Sequence, residues 1–278
     1  MTYEQPGGSP LNYFPCRYDR SRLLFRGPRR DVSGDFLAFL GGTETYGKFL
    51  PAPFPALVEA EMGLAAVNLG CLQAGPDAYL NDMATLDLAR RARVTVLQVP
   101  GALNLSNRMY AVHPRRNDRF LRASPLLQGL YPEVDFTDFA FTRHLALTLA
   151  ERGAERGADR FRLLATELQT AWVARMFTLL DHLAPPVVLV WVGLQPPPPA
   201  DTADLMSETP LVHAGMLAGL RNRVAALVEV VVSDRARAEG ANGMAYAVQD
   251  EQAARALPGP AAHAEIAAAL VPVLRGLL

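Results

Sequence analysis

Short, nearly unbroken apolar runs alternate along this chain with longer stretches in which apolar residues recur every three or four positions. The runs lie at 36–41 (Phe-Leu-Ala-Phe-Leu-Gly), 65–69, 94–99 (Val-Thr-Val-Leu-Gln-Val), 187–192 (Val-Val-Leu-Val-Trp-Val) and 228–232. Their length and β-branched content predict strands buried on both faces. The helical spacing covers about 53–62, 76–92, 137–152, 159–183, 210–226 and 262–277. Buried strands alternating with amphipathic helices predict an α/β protein: a flavodoxin-like, three-layer α/β/α sandwich on a parallel five-stranded sheet.

Three segments depart from that alternation. Residues 1–35 are rich in Pro, Gly, Arg and Tyr and show neither period, which predicts an arm draped over a single domain at 36–278. The six arginines of the arm (Arg17, Arg20, Arg22, Arg26, Arg29, Arg30) are expected on its solvated surface, with an anion-binding patch or contact with a neighbouring subunit in a homo-oligomer as the alternatives. About 104–186 separates the third and fourth strands and reads as a helical insertion, polar at its start, of the kind that builds a lid or an interface. The run Gln195-Pro196-Pro197-Pro198-Pro199 excludes helix and central strand and predicts a stiff loop leaving the fourth strand.

Composition narrows the function classes. The 278 residues carry 27 Lys+Arg against 28 Asp+Glu, so no basic field favours nucleic acid or an anionic membrane. The two cysteines, Cys16 and Cys71, form neither a disulfide framework nor a metal-ligand spacing, and the start of the chain lacks the basic and apolar regions of a signal peptide. The expectation is a cytoplasmic protein without a membrane span. The histidines show no HxxxH or HxH pair, and no Gly-x-Gly-x-x-Gly follows the first strand, so neither a metal nor a cofactor is expected.

Ligands of open parallel sheets bind beyond the carboxyl ends of the strands, and the three first strand ends carry Gly41-Gly42-Thr43-Glu44-Thr45, Asn68-Leu69-Gly70 and Gly101-Ala102-Leu103-Asn104. In order and placement these resemble the first three blocks of SGNH (GDSL-type) hydrolases: a nucleophile turn, an N-x-G turn and a G-x-N-type loop. The resemblance implies an esterase or acyltransferase acting on a small or carbohydrate-linked acyl ester. It makes Thr43 the nucleophile, with Gly70 and Asn104 as oxyanion donors. It also implies an Asp-x-x-His pair just before the last helix, where this chain departs from the pattern: Leu257 stands directly before Pro258 in the place of the His, and no Asp lies three residues ahead. His263 or His113 is then the candidate base, and without one a hydroxyl is a weak nucleophile. A non-catalytic binding or scaffolding protein that keeps the cleft is the alternative. The whole chain also resembles an uncharacterised alphaproteobacterial family with the motifs Gly-Gly-Ser/Thr-Glu-Thr-Tyr-Gly-Lys, Ser-Asn-Arg and His-Pro-Arg-Arg-Asn-Asp-Arg-Phe.

The same turn fits the phosphate-loop spacing, Gly42-x-x-x-x-Gly47-Lys48, which would suit a sulfo- or phosphotransferase with an anionic donor. Phe49 in place of Ser/Thr, and the prolines at 51, 53 and 55 where a helix should begin, weigh against it. On either reading Gly42, Glu44, Thr45, Tyr46 and Lys48 are expected at the substrate. The stretch from Asn107 and Arg108 through His113, Arg115 and Arg116 to Phe120 adds four arginines and two aromatics, a set suited to an anionic or sugar-like ligand and equally to surface ion pairs.

Overall fold

The apolar runs form the strands of a sheet whose central members bury both faces, and their side chains sort by parity. In the computed structural model, which describes residues 10–156, 159–200 and 202–278, β1 (Phe36–Leu40), β2 (Ala65–Asn68) and β3 (Val94–Gln98) precede a hairpin. This hairpin consists of β4 (Tyr110–His113) and β5 (Arg116–Ala123), and β6 (Val187–Gly193) and β7 (Ala226–Val231) follow it. The main sheet has the order β2-β1-β3-β6-β7, parallel throughout, with the switch in strand order between β1 and β3. Phe36, Ala38 and Leu40 of β1, with Leu189 and Trp191 of β6, enter one core, whereas Leu37, Phe39, Val188 and Val190 enter the other.

Eleven α-helices are described: α1 (Thr43–Tyr46), α2 (Phe54–Met62), α3 (Pro76–Leu80), α4 (Met83–Ala89), α5 (Pro125–Leu130), α6 (Thr142–Arg156), α7 (Asp159–His182), α8 (Ala214–Leu220), α9 (Asp234–Glu239), α10 (Glu251–Arg255) and α11 (Pro260–Leu277). One layer is built by α3, α4, α7 and α8 through residues such as Tyr79, Leu86, Trp172 and Leu217. The opposite layer is built by α2, α9 and α11 through Phe54, Val58, Ala236, Ile266 and Leu270. The protein is therefore the expected three-layer α/β sandwich. Burial of each large apolar side chain contributes about 1.5–3 kcal/mol, and both tryptophans are almost fully enclosed.

Several expected elements take a different form. The stretch 76–92 is not one helix, because Asp82 turns away from α3 and caps α4 by accepting the Thr85 amide at 3.0 Å. The segment after β3 is only partly helical. It opens with the β4–β5 hairpin, whose short first strand and charged second strand hid its period, and its last helix, α7, is a true crossover that covers the sheet with Trp172, Met176 and Leu179.

The described part of the arm is not merely draped. Tyr18, Leu23 and Phe25 are buried in the first core, and Arg26 is buried rather than solvated. Its guanidinium donates to the carbonyls of Gly47 (2.5 Å), Leu50 (2.6 Å) and Pro51 (2.9 Å), clamping the chain that leaves α1. The first nine residues and Asp201 lie outside the described residues. Among the described residues no single helix is long and apolar enough to cross a membrane.

Candidate ligand cleft at the switch point

The divergence of chain between β1 and β3 leaves an open cleft of about 580 Å³ above the carboxyl ends of the strands, the place where such sheets bind ligands and within the size range of small-molecule sites. Its walls come from the turn after β1 (Gly42, Thr43, Glu44, Lys48), the loops after β2 and β3 (Gln73, Gln98, Asn104), the start of α6 (Arg143), the ends of β6 and β7, the loop 206–210 and the segment 253–258.

The turn is built around Gln98, the last residue of β3. Its Oε1 accepts from the Gly42 amide (3.1 Å), the Thr45 amide (3.2 Å) and the Thr45 hydroxyl (2.6 Å). Backbone amides can only donate, so this fixes the orientation of the side-chain amide and aims its Nε2 at Glu44 Oε2, 2.7 Å away. Gly41 has no room for a side chain here: a Cβ would lie 2.1 Å from Thr45 Oγ1. Thr45 is fully buried and structural, and Tyr46 packs on Tyr13 at 5.4 Å between ring centroids; neither lines the cleft.

Thr43 does line it, and its Oγ1 accepts the Gln73 amide at 3.0 Å. Gln73 has φ +54°, a left-handed backbone that costs a residue with a side chain of order 1 kcal/mol. The strained peptide turns its N–H toward the Thr43 hydroxyl. Asn104 holds the following peptide, donating from Nδ2 to the Gln73 carbonyl (3.1 Å) while its Oδ1 accepts the Thr142 hydroxyl (2.7 Å). Its side-chain amide is thus already engaged. Gly70 is not the donor: its amide is bound by Asn68 Oδ1 at 2.9 Å, and its lack of a side chain serves the close approach of the two turns, since a Cβ would meet the Tyr46 nitrogen at 2.4 Å.

The proposed bases lie elsewhere. His263 is 1 % exposed, packs on the Phe54 ring and accepts the Phe54 amide on Nδ1 at 3.0 Å. Burial, reinforced by the nearby Arg26, lowers its pKa to about 3, so it is a neutral packing residue. His113 closes the hairpin turn by accepting the Arg115 and Arg116 amides at 3.2 and 3.1 Å. Its pKa is lowered by burial and by the arginines around it. No histidine lines the cleft among the described residues, whereas Leu257 does, in the position where the resemblance implies an imidazole.

The arginine-rich stretch is separate from the cleft as well. Arg115 and Arg116 are exposed at the hairpin turn, with Arg116 beside Asp118. Arg108 forks onto Glu167, and Asn107 Oδ1 ties the amides of Met109 and Tyr110. The phosphate-loop reading fares no better. The amides of Gly42, Thr45, Tyr46, Gly47 and Lys48 are all engaged by Gln98 or within the turn, and the next helix starts only at Phe54. A cradle of free amides is not open there.

Sequence reasoning missed Gln73, Arg143, the loop 206–210 and the role of Gln98. The sole signal was Gln98 itself, a polar residue ending a buried strand. Arg143 and Lys48 both line the cleft and neither has an ion-pair partner among the described residues; the Lys48 ammonium lies 4.7 Å from the centroid of the Phe49 ring. Among the described residues no group of three or more His, Cys, Asp or Glu side chains could hold a metal ion.

The fold and cleft define a doubly wound α/β protein with an open pocket over its switch point. More particularly, the chain belongs to the family described as a domain of unknown function (DUF6473), which it matches over residues 1–278. No curated protein and no solved structure matches it.

Proposed function

We propose that this protein binds a small molecule through a carbonyl or carboxylate group in the switch-point cleft and does not hydrolyse it. The observation that carries this reading is the cleft wall: Leu257 stands where an SGNH-type site needs its base, and none of the described histidines reaches the pocket. A threonine hydroxyl without a base is a weak nucleophile, yet this one, its oxygen held by the Gln73 amide, still has its own O–H to donate to a ligand oxygen.

Ester hydrolysis or acyl transfer through Thr43 is the second reading, favoured by the place of the Thr43 side chain in the cleft lining. One experiment separates the two. The wild type is titrated calorimetrically with a panel of small carboxylates, esters and acylated sugars, and the same compounds are followed for turnover. Saturable binding without turnover is the expected result; turnover that Thr43→Ala abolishes would overturn the binding reading in favour of the hydrolase.

A further inference from the structure

The cleft is asymmetric, and its asymmetry follows the strand order β2-β1-β3-β6-β7. At the β1–β3 side stand Thr43, Gln98 and Asn104 with the two cations Lys48 and Arg143. At the β6–β7 side the strand ends contribute Val192, Leu194 and Val232, and Met206, Ala256 and Leu257 extend a largely apolar wall, interrupted by Ser207, Glu208 and Thr209. Two of these are unusual for a water-facing surface: Leu194 is 39 % exposed and Met206 is 72 % exposed, both on the pocket rim. Large apolar side chains gathered in water around a cleft mark a binding surface.

The formal charges of the lining balance, two acids against two cations, but the two sets differ in their partners. Its two acids already accept hydrogen bonds, Glu44 from Gln98 Nε2 at 2.7 Å and Glu208 from the Leu194 amide at 3.3 Å. The two cations have no ion-pair partner among the described residues.

Building on the binding reading above, we infer that the occupant is an aliphatic carboxylate, with its head between Lys48 and Arg143 and its alkyl chain along the β6–β7 wall. The full-length protein is titrated calorimetrically with acetate, butanoate, octanoate and dodecanoate at matched ionic strength, below micelle-forming concentrations, and with octanol. Each methylene that enters the apolar half should tighten binding by about three- to fourfold, and octanoate should bind at least about tenfold more tightly than octanol.

Met206→Glu and Leu194→Glu alter exposed rim positions, so the fold, checked by circular dichroism, should persist. They should flatten the chain-length dependence. Lys48→Gln and Arg143→Gln should instead weaken all the carboxylates alike. Carboxylate binding that ignores chain length, or a dependence unchanged in Met206→Glu, overturns the alkyl assignment and leaves the binding reading standing. Equal affinity for octanol and octanoate overturns the anionic head. Failure of every carboxylate overturns the inference, and it overturns the binding reading only if the wider panel of esters and sugars fails too.

Discussion

The turn at residues 41–48 and the hairpin stretch at 107–120 both carry several polar and charged side chains, and the fold uses them differently. In the turn, one buried amide from a neighbouring strand, Gln98, satisfies the backbone and the Thr45 hydroxyl, which leaves Thr43, Glu44 and Lys48 facing the cleft. In the hairpin the polar groups satisfy the hairpin itself: His113 closes the turn, Asn107 ties its first strand and Asn117 anchors it to α3. A polar side chain becomes available to a ligand when some other residue has taken over the local hydrogen bonding.

That contrast is tested most severely at Gln98. Gln98→Leu keeps the approximate shape of the side chain but leaves the amides of Gly42 and Thr45 and the Thr45 hydroxyl without their acceptor. Each buried group left unsatisfied costs about 1–3 kcal/mol, so denaturant unfolding should show a loss on the order of 3–6 kcal/mol together with loss of ligand binding. A loss below about 1 kcal/mol would mean that the turn is held by its helical bonds and not by β3.

The anchor of the hairpin comes next. Asn117 is fully buried; its Oδ1 accepts the amides of Gly75 (3.0 Å) and Ala78 (2.8 Å) at the start of α3, and its Nδ2 donates to the His113 carbonyl (3.0 Å). Asn117→Ala removes all three bonds and should cost about 2–3 kcal/mol in the same measurement. Gly75 lies two residues from Gln73, so ligand affinity should fall as well, though by less than in Gln98→Leu. If affinity falls further in Asn117→Ala, the hairpin governs the cleft more than the turn does.

What could be read from the sequence follows the same division. The five sheet strands were legible because their runs are short and predominantly apolar, with β1, β3 and β6 buried along their whole length. The strands β4 and β5 were not, because a hairpin with Arg116, Asp118, Arg119 and Arg122 along it has no apolar run to detect. At the site, the turn after β1 was legible from its place after a strand and its small residues. Leu257 was legible as a missing base. Gln73 was not, since its contribution is a backbone N–H in a left-handed conformation that its side chain gives no hint of. Arg143 reaches the cleft from the first turn of α6, a placement set by the tertiary contact of Thr142 with Asn104 and not by any local pattern.

The smallest effect is expected where the sequence looked richest in anion-binding groups. Arg115→Glu combined with Arg116→Glu reverses two exposed charges, of which Arg116 lies 3.4 Å from the Asp118 carboxylate. Surface substitutions of this kind change stability by about 0.5 kcal/mol or less. Neither residue lines the cleft, so their influence on a bound carboxylate is a long-range field, screened over about 8 Å at physiological ionic strength. Calorimetric titration with octanoate should therefore give an affinity within about twofold of wild type at that salt, with a somewhat larger drop at low salt. A tenfold loss that added salt does not relieve would place the hairpin in direct contact with the ligand, and the distinction drawn between the two regions would fail.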